Sequence, residues 1–417
     1  MPQTPFLFVL VDAVPYDIAR RAWMAGAFPG FPPPSRMVST FPSLTYVAIP
    51  ALIRGIHPFK PKGYEAVWFD PERGVLVRDF EHMTPSGLES WPRMGLVQEG
   101  FLYALPRGFT FSQTRWITQQ ALQHADEPWM GWISATDALG HFKGRAALAR
   151  AFESVARKIA LVREEYTRIH GTLPRVVLAS DHGLECGTRF HLSEDELLRF
   201  LALGGYHGIW GAPDGVATAS LGMVGSGVLH THPDRAPAVA ELVAQASGVD
   251  LAVAKVPDGA VVCGVRMGGM ARARIHWEGD RYRYEPINGD PLECAALEGR
   301  WWTDTESFEQ TAHLKYPDAW RRIRDALEGG ICRVPATVIF AMETGWTYGP
   351  VAIHAGATLV GGMMSTHGAL HAEQSCGFVM DSAGRLPPFL RPWEVSNLLA
   401  GRLAPGQMVG AALPWHT

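Results

Sequence analysis

Apolar residues fall along this chain in two kinds of pattern, unbroken runs and short broken pieces. Phe6-Leu-Phe-Val-Leu-Val11 is apolar at every position and stops at Asp12. A run of that kind, rather than one apolar at every second place, predicts a strand buried on both faces, as in a parallel sheet. Trp129-Met-Gly-Trp-Ile133 and Arg175-Val-Val-Leu-Ala179 have the same character and lead to Asp137 and Asp181. Between them, Ala146 to His170 sets charged and apolar residues at helical spacing, and Gly171 is placed to cap its C-terminus. Strand, long helix and strand in this order predict a βαβ unit and a mostly parallel sheet. Ser193 and Glu196 form a capping-box pair that opens a short helix to about Leu203.

From residue 212 the texture changes. Ala236 to Ser247 has helical spacing, and short β-like pieces follow: Val261-Val-Cys263, Ala273-Arg-Ile275 and Tyr282-Arg-Tyr284. Pro257-Asp-Gly and Asn288-Gly-Asp supply turns between them. Thr337-Val-Ile-Phe340 and the glycine-rich run to His367 read as a return to the core sheet. The predicted organisation is a core in two parts, 1–211 and 336–417, with an inserted lobe at 212–335.

Of 417 residues, 47% are apolar and 19% charged, enough to build a sizeable core and too apolar for wholesale disorder. The formal net charge of −4 excludes a nucleic-acid protein that works through a globally basic surface. The first apolar run is far shorter than the roughly 20 residues that span a bilayer. It also lacks the preceding basic region of a secretory signal. The five cysteines (186, 263, 294, 332 and 376) are odd in number, widely spaced and without a Cys-x-x-Cys pair. No disulfide framework or membrane attachment is expected, and a reducing cytoplasm fits this usage.

The carboxyl ends of parallel strands line the binding crevice of an open sheet, and Asp12, Asp137 and Asp181 all fall there. Three carboxylates together repel one another unless cations neutralise them. His141 follows Asp137 by four residues, His182 follows Asp181 directly, and His367 lies in Ser365-Thr-His-Gly-Ala. Any one of these aspartates alone would read as a helix N-cap, but six such residues at strand ends read as a metal site. An oxygen and imidazole donor set without thiolate suits zinc, manganese or iron. A hydroxyl activated by such a site becomes a nucleophile, and Ser39, Thr40, Ser43 and Thr45 all compete for that role by spacing alone.

Leu10-Val-Asp-Ala13, Phe41-Pro-Ser-Leu-Thr45-Tyr46, Thr136-Asp-Ala-Leu-Gly-His141, Ser180-Asp-His-Gly183 and Ser365-Thr-His-Gly368 resemble, in this order, the metal-site motifs of the alkaline phosphatase superfamily. Within it they look most like the type I phosphodiesterase/nucleotide pyrophosphatase family. The resemblance runs from Phe6 to about Phe378 and is weak over 212–335. It implies an α/β fold: an alkaline-phosphatase-like core with a mostly parallel central sheet flanked by helices, plus a smaller inserted α+β lobe. It also implies a phosphoric ester hydrolase, most directly a phosphodiesterase, acting on a small-molecule ester and not on a nucleic-acid polymer.

By position, the resemblance gives one zinc to Asp12, Asp181, His182 and the oxygen of Thr45, and a second to Asp137, His141 and His367. Thr45 would be the nucleophile and would pass through a covalent phospho-threonine. Relatives place that residue ten positions before a glycine, as Thr45 stands to Gly55. Thr40-Phe-Pro imitates another version of the motif but lies fifteen positions away. Val47-Ala48 replaces the family's Pro-Asn. Lys62-Gly-Tyr-Glu-Ala-Val67 stands where an asparagine amide would face the transition state, so Lys60 and Lys62 are the candidate substrate-binding cations. His371 is a candidate for a residue supporting a metal ligand, and Trp301-Trp302 reads as packing. The same site in relatives also serves phosphomonoesterases, phosphonate hydrolases and phosphomutases. A metal-binding scaffold without turnover is the alternative of another class, although a scaffold needs no open hydroxyl.

Overall fold

The computed structural model describes residues 6–56, 58–78, 102–103, 105–123, 128–208 and 210–399. Its central sheet has six strands in the order Phe389–Leu390, Ser35–Val38, Cys376–Asp381, Arg175–Ala179, Phe6–Val11, Trp129–Ile133. Phe6–Val11 lies between Trp129–Ile133 and Arg175–Ala179 and is parallel to both. Cys376–Asp381 runs antiparallel to its two neighbours. Side chains of a strand alternate between faces, and both faces are covered here, which is why the first strand is apolar throughout. Leu7, Val9 and Val11 pack with Ile18, Phe152, Val155 and Ile159 from the helices Tyr16–Met24 and Ala135–His170. Phe6, Phe8 and Leu10 pack with Ile49, Leu52, Val395 and Leu399 from Thr45–Ile53 and Pro392–Leu399 on the other side.

The long helix starts earlier than its spacing predicts, at Ala135, and its helical backbone is broken at Gly144 (φ 70°, ψ −178°). Gly171 caps it in the left-handed conformation, as expected. The capping box at Ser193 and Glu196 opens Glu194–Leu203, also as expected.

A second sheet of eight strands, antiparallel throughout, takes its strands from Val216–Thr218 to Val338–Met342. The return to the core sheet expected at Thr337–Phe340 does not occur there. Val338–Met342 does not return to the central sheet but pairs with Ser226–Thr231 and Val249–Val256 in the antiparallel one. The chain rejoins the central sheet only at Cys376–Asp381. One face of the antiparallel sheet packs on Ala236–Val243. The other packs on Ala319–Leu327 and on Phe41, Leu44 and Val47 around the start of the helix Thr45–Ile53.

Candidate active site

Parallel register brings the three strand ends level. Val11 pairs with Ile133 and Leu10 with Ala179, so Asp12, the turn leading to Asp137, and Asp181 open on one edge of the sheet. Asp137 and His141, one helical turn apart, share a face of the helix that begins at Ala135. His367 is delivered from far along the chain by a two-stranded ladder, in which Ser365–Thr366 pairs antiparallel with Glu185–Cys186 just beyond His182. The result is two buried groups, Asp12–Asp181–His182 and Asp137–His141–His367, each with ligand atoms within 4.8 Å of one another. The rings of His182 and His367 stack at 3.9 Å, which puts the groups side by side.

Each imidazole is oriented by a main-chain carbonyl. Nδ1 donates to Ser365 O from His141 (2.7 Å), to Gly183 O from His182 (2.9 Å) and to Ser43 O from His367 (2.9 Å). A carbonyl only accepts, so Nδ1 carries a proton and Nε2 is the nitrogen turned inward, able to ligate a cation in the neutral ring. Asp137 Oδ1 lies 3.1 Å from His141 Nε2 and 3.5 Å from His367 Nε2. His182 Nε2 lies 3.2 Å from Asp181 Oδ2 and 3.7 Å from Asp12 Oδ1. Asp137 Oδ1 and Asp181 Oδ2 are buried without a hydrogen-bond partner. Two ligands of one tetrahedral zinc sit about 3.3 Å apart when each is at the usual 2.0–2.1 Å. The orphaned oxygens, the inward Nε2 atoms and these spacings fit a divalent cation in each group.

The electrostatics of the protein alone agree. Burial, then repulsion from Asp181 and Asp137, holds the Asp12 carboxyl well above its usual range. Burial raises Asp181 to about 6. Burial lowers His182 to about 4 and, with help from His182, lowers His367 to about 3. Burial also opposes the charged form of Asp137, but the imidazoles of His141, His367 and His182 outweigh it and push that carboxyl down. The Asp12–Asp181 group thus resists holding its own negative charge, which a cation would relieve, whereas Asp137 is already partnered by imidazoles.

Of the four competing hydroxyls, one reaches the cluster. Thr45 Oγ1 is 3.0 Å from His182 Nε2 and 3.5 Å from Asp12 Oδ1. Thr45 is half-buried at the first position of its helix, where the positive end of the helix dipole favours a developing oxyanion. Thr40 Oγ1 donates instead to Pro42 O at 2.8 Å, Ser43 Oγ to Ala369 O at 3.1 Å, and Ser39 Oγ is buried without a partner. Lys60 and Lys62 are occupied elsewhere: Lys60 Nζ donates to Gly329 O at 2.7 Å, and Lys62 Nζ lies over the Trp68 ring. His371 sits on Glu185, with 3.3 Å between Nε2 and Oε2.

Sequence reasoning missed Trp132, whose indole donates to Asp12 Oδ2 at 3.0 Å. The signal was present: Trp132 is in register with Leu10, and period two puts Leu10 and Asp12 on one face. It also missed the carbonyls of Ser43, Gly183 and Ser365, which only a fold can place.

This fold, a central sheet with paired Asp/His groups at its edge, is shared with two solved structures. Phosphonoacetate hydrolase from Sinorhizobium meliloti 1021, in complex with phosphonoacetate, is similar to this chain at a TM-score of 0.53 and 11% identity, with 96% of each chain covered. An inactive murine ectonucleotide pyrophosphatase/phosphodiesterase 5 in complex with AMP is similar at a TM-score of 0.51 and 11% identity, covering 95% of this chain and 94% of the other. At such identities the likeness carries the fold. By sequence the chain matches no family profile and no curated protein.

Proposed function

We propose that this protein is a two-metal hydrolase of phosphoric esters with Thr45 as its nucleophile, and that it prefers diesters. The observation that carries this reading is the seating of Thr45 Oγ1 at 3.0 Å from His182 Nε2, beside two Asp/His groups that each fit a divalent ion. Asp12, Asp181 and His182 would hold one ion next to Thr45, and Asp137, His141 and His367 the other; zinc suits these donors best, with manganese or iron as alternatives. Bound ions would supply Lewis acidity toward the phosphoryl oxygens and favour ionisation of the hydroxyl. Thr45 Oγ then attacks phosphorus in line, the alcohol leaves on the opposite side, and water later cleaves the phospho-threonine.

The ligands of the two similar structures, AMP and phosphonoacetate, are small phosphorus compounds, which supports a small-molecule substrate here. No described helix is long and apolar enough to cross a membrane. The five cysteines, all unpaired, support a cytoplasmic setting.

Chelation and dialysis should abolish hydrolysis of bis(p-nitrophenyl) phosphate, and added zinc or manganese should restore it. Full turnover by protein shown to be metal-free by elemental analysis would overturn the reading.

A further inference from the structure

The helix Ala319–Leu327 lies on the antiparallel sheet, through Ala319, Trp320, Ile323, Ala326 and Leu327. One of its side chains crosses to the loops of the candidate site. Arg322 is buried, and its Nη1 donates to the carbonyls of Pro317 (3.0 Å) and Leu370 (2.8 Å) while Nη2 donates to that of Thr40 (2.9 Å). Its Nε has no partner. Asp318, four residues before it, is gripped at both oxygens by Arg391 instead. A buried guanidinium resting on neutral carbonyls carries a desolvation cost that an apolar side chain would not. What it offers in return is a rigid fork whose two arms reach different segments at once.

Those segments matter. Thr40 opens the loop that ends at Thr45, and Leu370 closes the loop that begins at His367. Ser43 already joins the two loops at their inner end. Its N donates to Gly368 O (3.1 Å), its Oγ to Ala369 O (3.1 Å), and its O accepts from His367 Nδ1 (2.9 Å). Arg322 joins them again at the outer end, from the helix packed on the antiparallel sheet.

We infer that Arg322 is a positioning residue, which fixes the loop of Thr45 against the loop of His367 and so sets the spacing between the hydroxyl and the Asp137–His141–His367 group. The inference rests on the two-metal reading above. It touches neither substrate nor metal ligand and acts through the two carbonyls. Displacing a reacting group by about 1 Å costs on the order of 100-fold in rate, so losing one clamp of two should lower kcat by roughly 10- to 100-fold with KM little changed.

The test uses the full chain with Arg322→Lys, which keeps the charge and loses the fork, and Arg322→Met, which keeps the bulk and loses both. Turnover of bis(p-nitrophenyl) phosphate, zinc retained per chain after gel filtration, and the thermal midpoint are measured beside Thr45→Ala. A drop in kcat at steady KM, or in retained zinc, supports the inference, with Met affected more than Lys. Wild-type kcat and zinc content in a folded variant overturn it, even if the midpoint falls. Failure of both variants to fold overturns it too, because Arg322 is then a core residue. Wild-type turnover by Thr45→Ala would sink the nucleophile instead, leaving the zinc measurement to decide on Arg322.

Discussion

A threonine hydroxyl titrates far above neutrality, so its reactivity depends on what surrounds its oxygen. Thr45 and Thr40 lie five positions apart in one loop and differ completely in this respect. The Thr45 oxygen faces His182 and Asp12, whereas the Thr40 hydroxyl is spent on Pro42 O and its useful atom is the carbonyl held by Arg322. Thr45→Ala should therefore lower turnover by roughly three orders of magnitude or more, as loss of a nucleophile does. Thr40→Ala, which keeps that carbonyl, should cost a few-fold at most. Steady-state kinetics on both variants check this, and the reverse ranking would move the nucleophile to Thr40. The three candidate aspartates were legible because each apolar run ends within four residues of its aspartate. How the six candidate ligands divide into two groups was not legible from spacing. That division depends on the short ladder between Glu185–Cys186 and Ser365–Thr366, two pairs of residues with no pattern of their own.

At the scale of elements, the instructive helix is Ala135–His170. Its first turns carry Asp137 and His141, and its remainder packs on the central sheet. Gly144 separates the two parts with a backbone (φ 70°, ψ −178°) that side chains with a Cβ avoid. A methyl group there would also meet Met364 Cε at 3.2 Å. Gly144→Ala should destabilise the protein by about 1–3 kcal/mol, read from denaturant unfolding. Wild-type stability would mean that the two parts can merge into one straight helix at no cost. The sequence pattern showed only the part from Ala146, since Gly140 and Gly144 interrupt helical spacing in the first turns. Val338–Met342 misled for a different reason. All five of its residues are buried, and a strand covered on both faces reads as a continuous apolar run whichever sheet receives it.

Over the whole molecule, charge decides what the site accepts. Two divalent ions would bring four positive charges; Asp12, Asp137, Asp181 and an ionised Thr45 bring four negative ones. The site is then close to neutral, and a phosphate dianion would need a further cation. The cations that follow Thr45 are committed elsewhere. Arg54 donates to Gly330 O at 2.7 Å, Lys60 to Gly329 O at 2.7 Å, and Lys62 lies over Trp68. Catalytic efficiency should accordingly be higher on bis(p-nitrophenyl) phosphate than on p-nitrophenyl phosphate, which shares its leaving group. Clearly higher efficiency on the monoester would replace the diesterase with a phosphatase on the same residues.

The strand Cys376–Asp381 lies between Ser35–Val38 and Arg175–Ala179, so it closes the central sheet from a position late in the chain. On a ribosome adding roughly 5–20 residues per second, the wait between Ala179 and that strand is on the order of ten seconds or more. During that interval the apolar strand Arg175–Ala179 has an open edge, the kind of surface that invites pairing with other chains. Ser35–Val38 meanwhile has no neighbour through which to join the sheet. The ladder that brings in His367 forms from the same late stretch. A nascent chain could thus bring Asp12, Asp181 and His182 together well before His367 joins Asp137 and His141, so on the two-metal proposal the second ion would be the later one to bind.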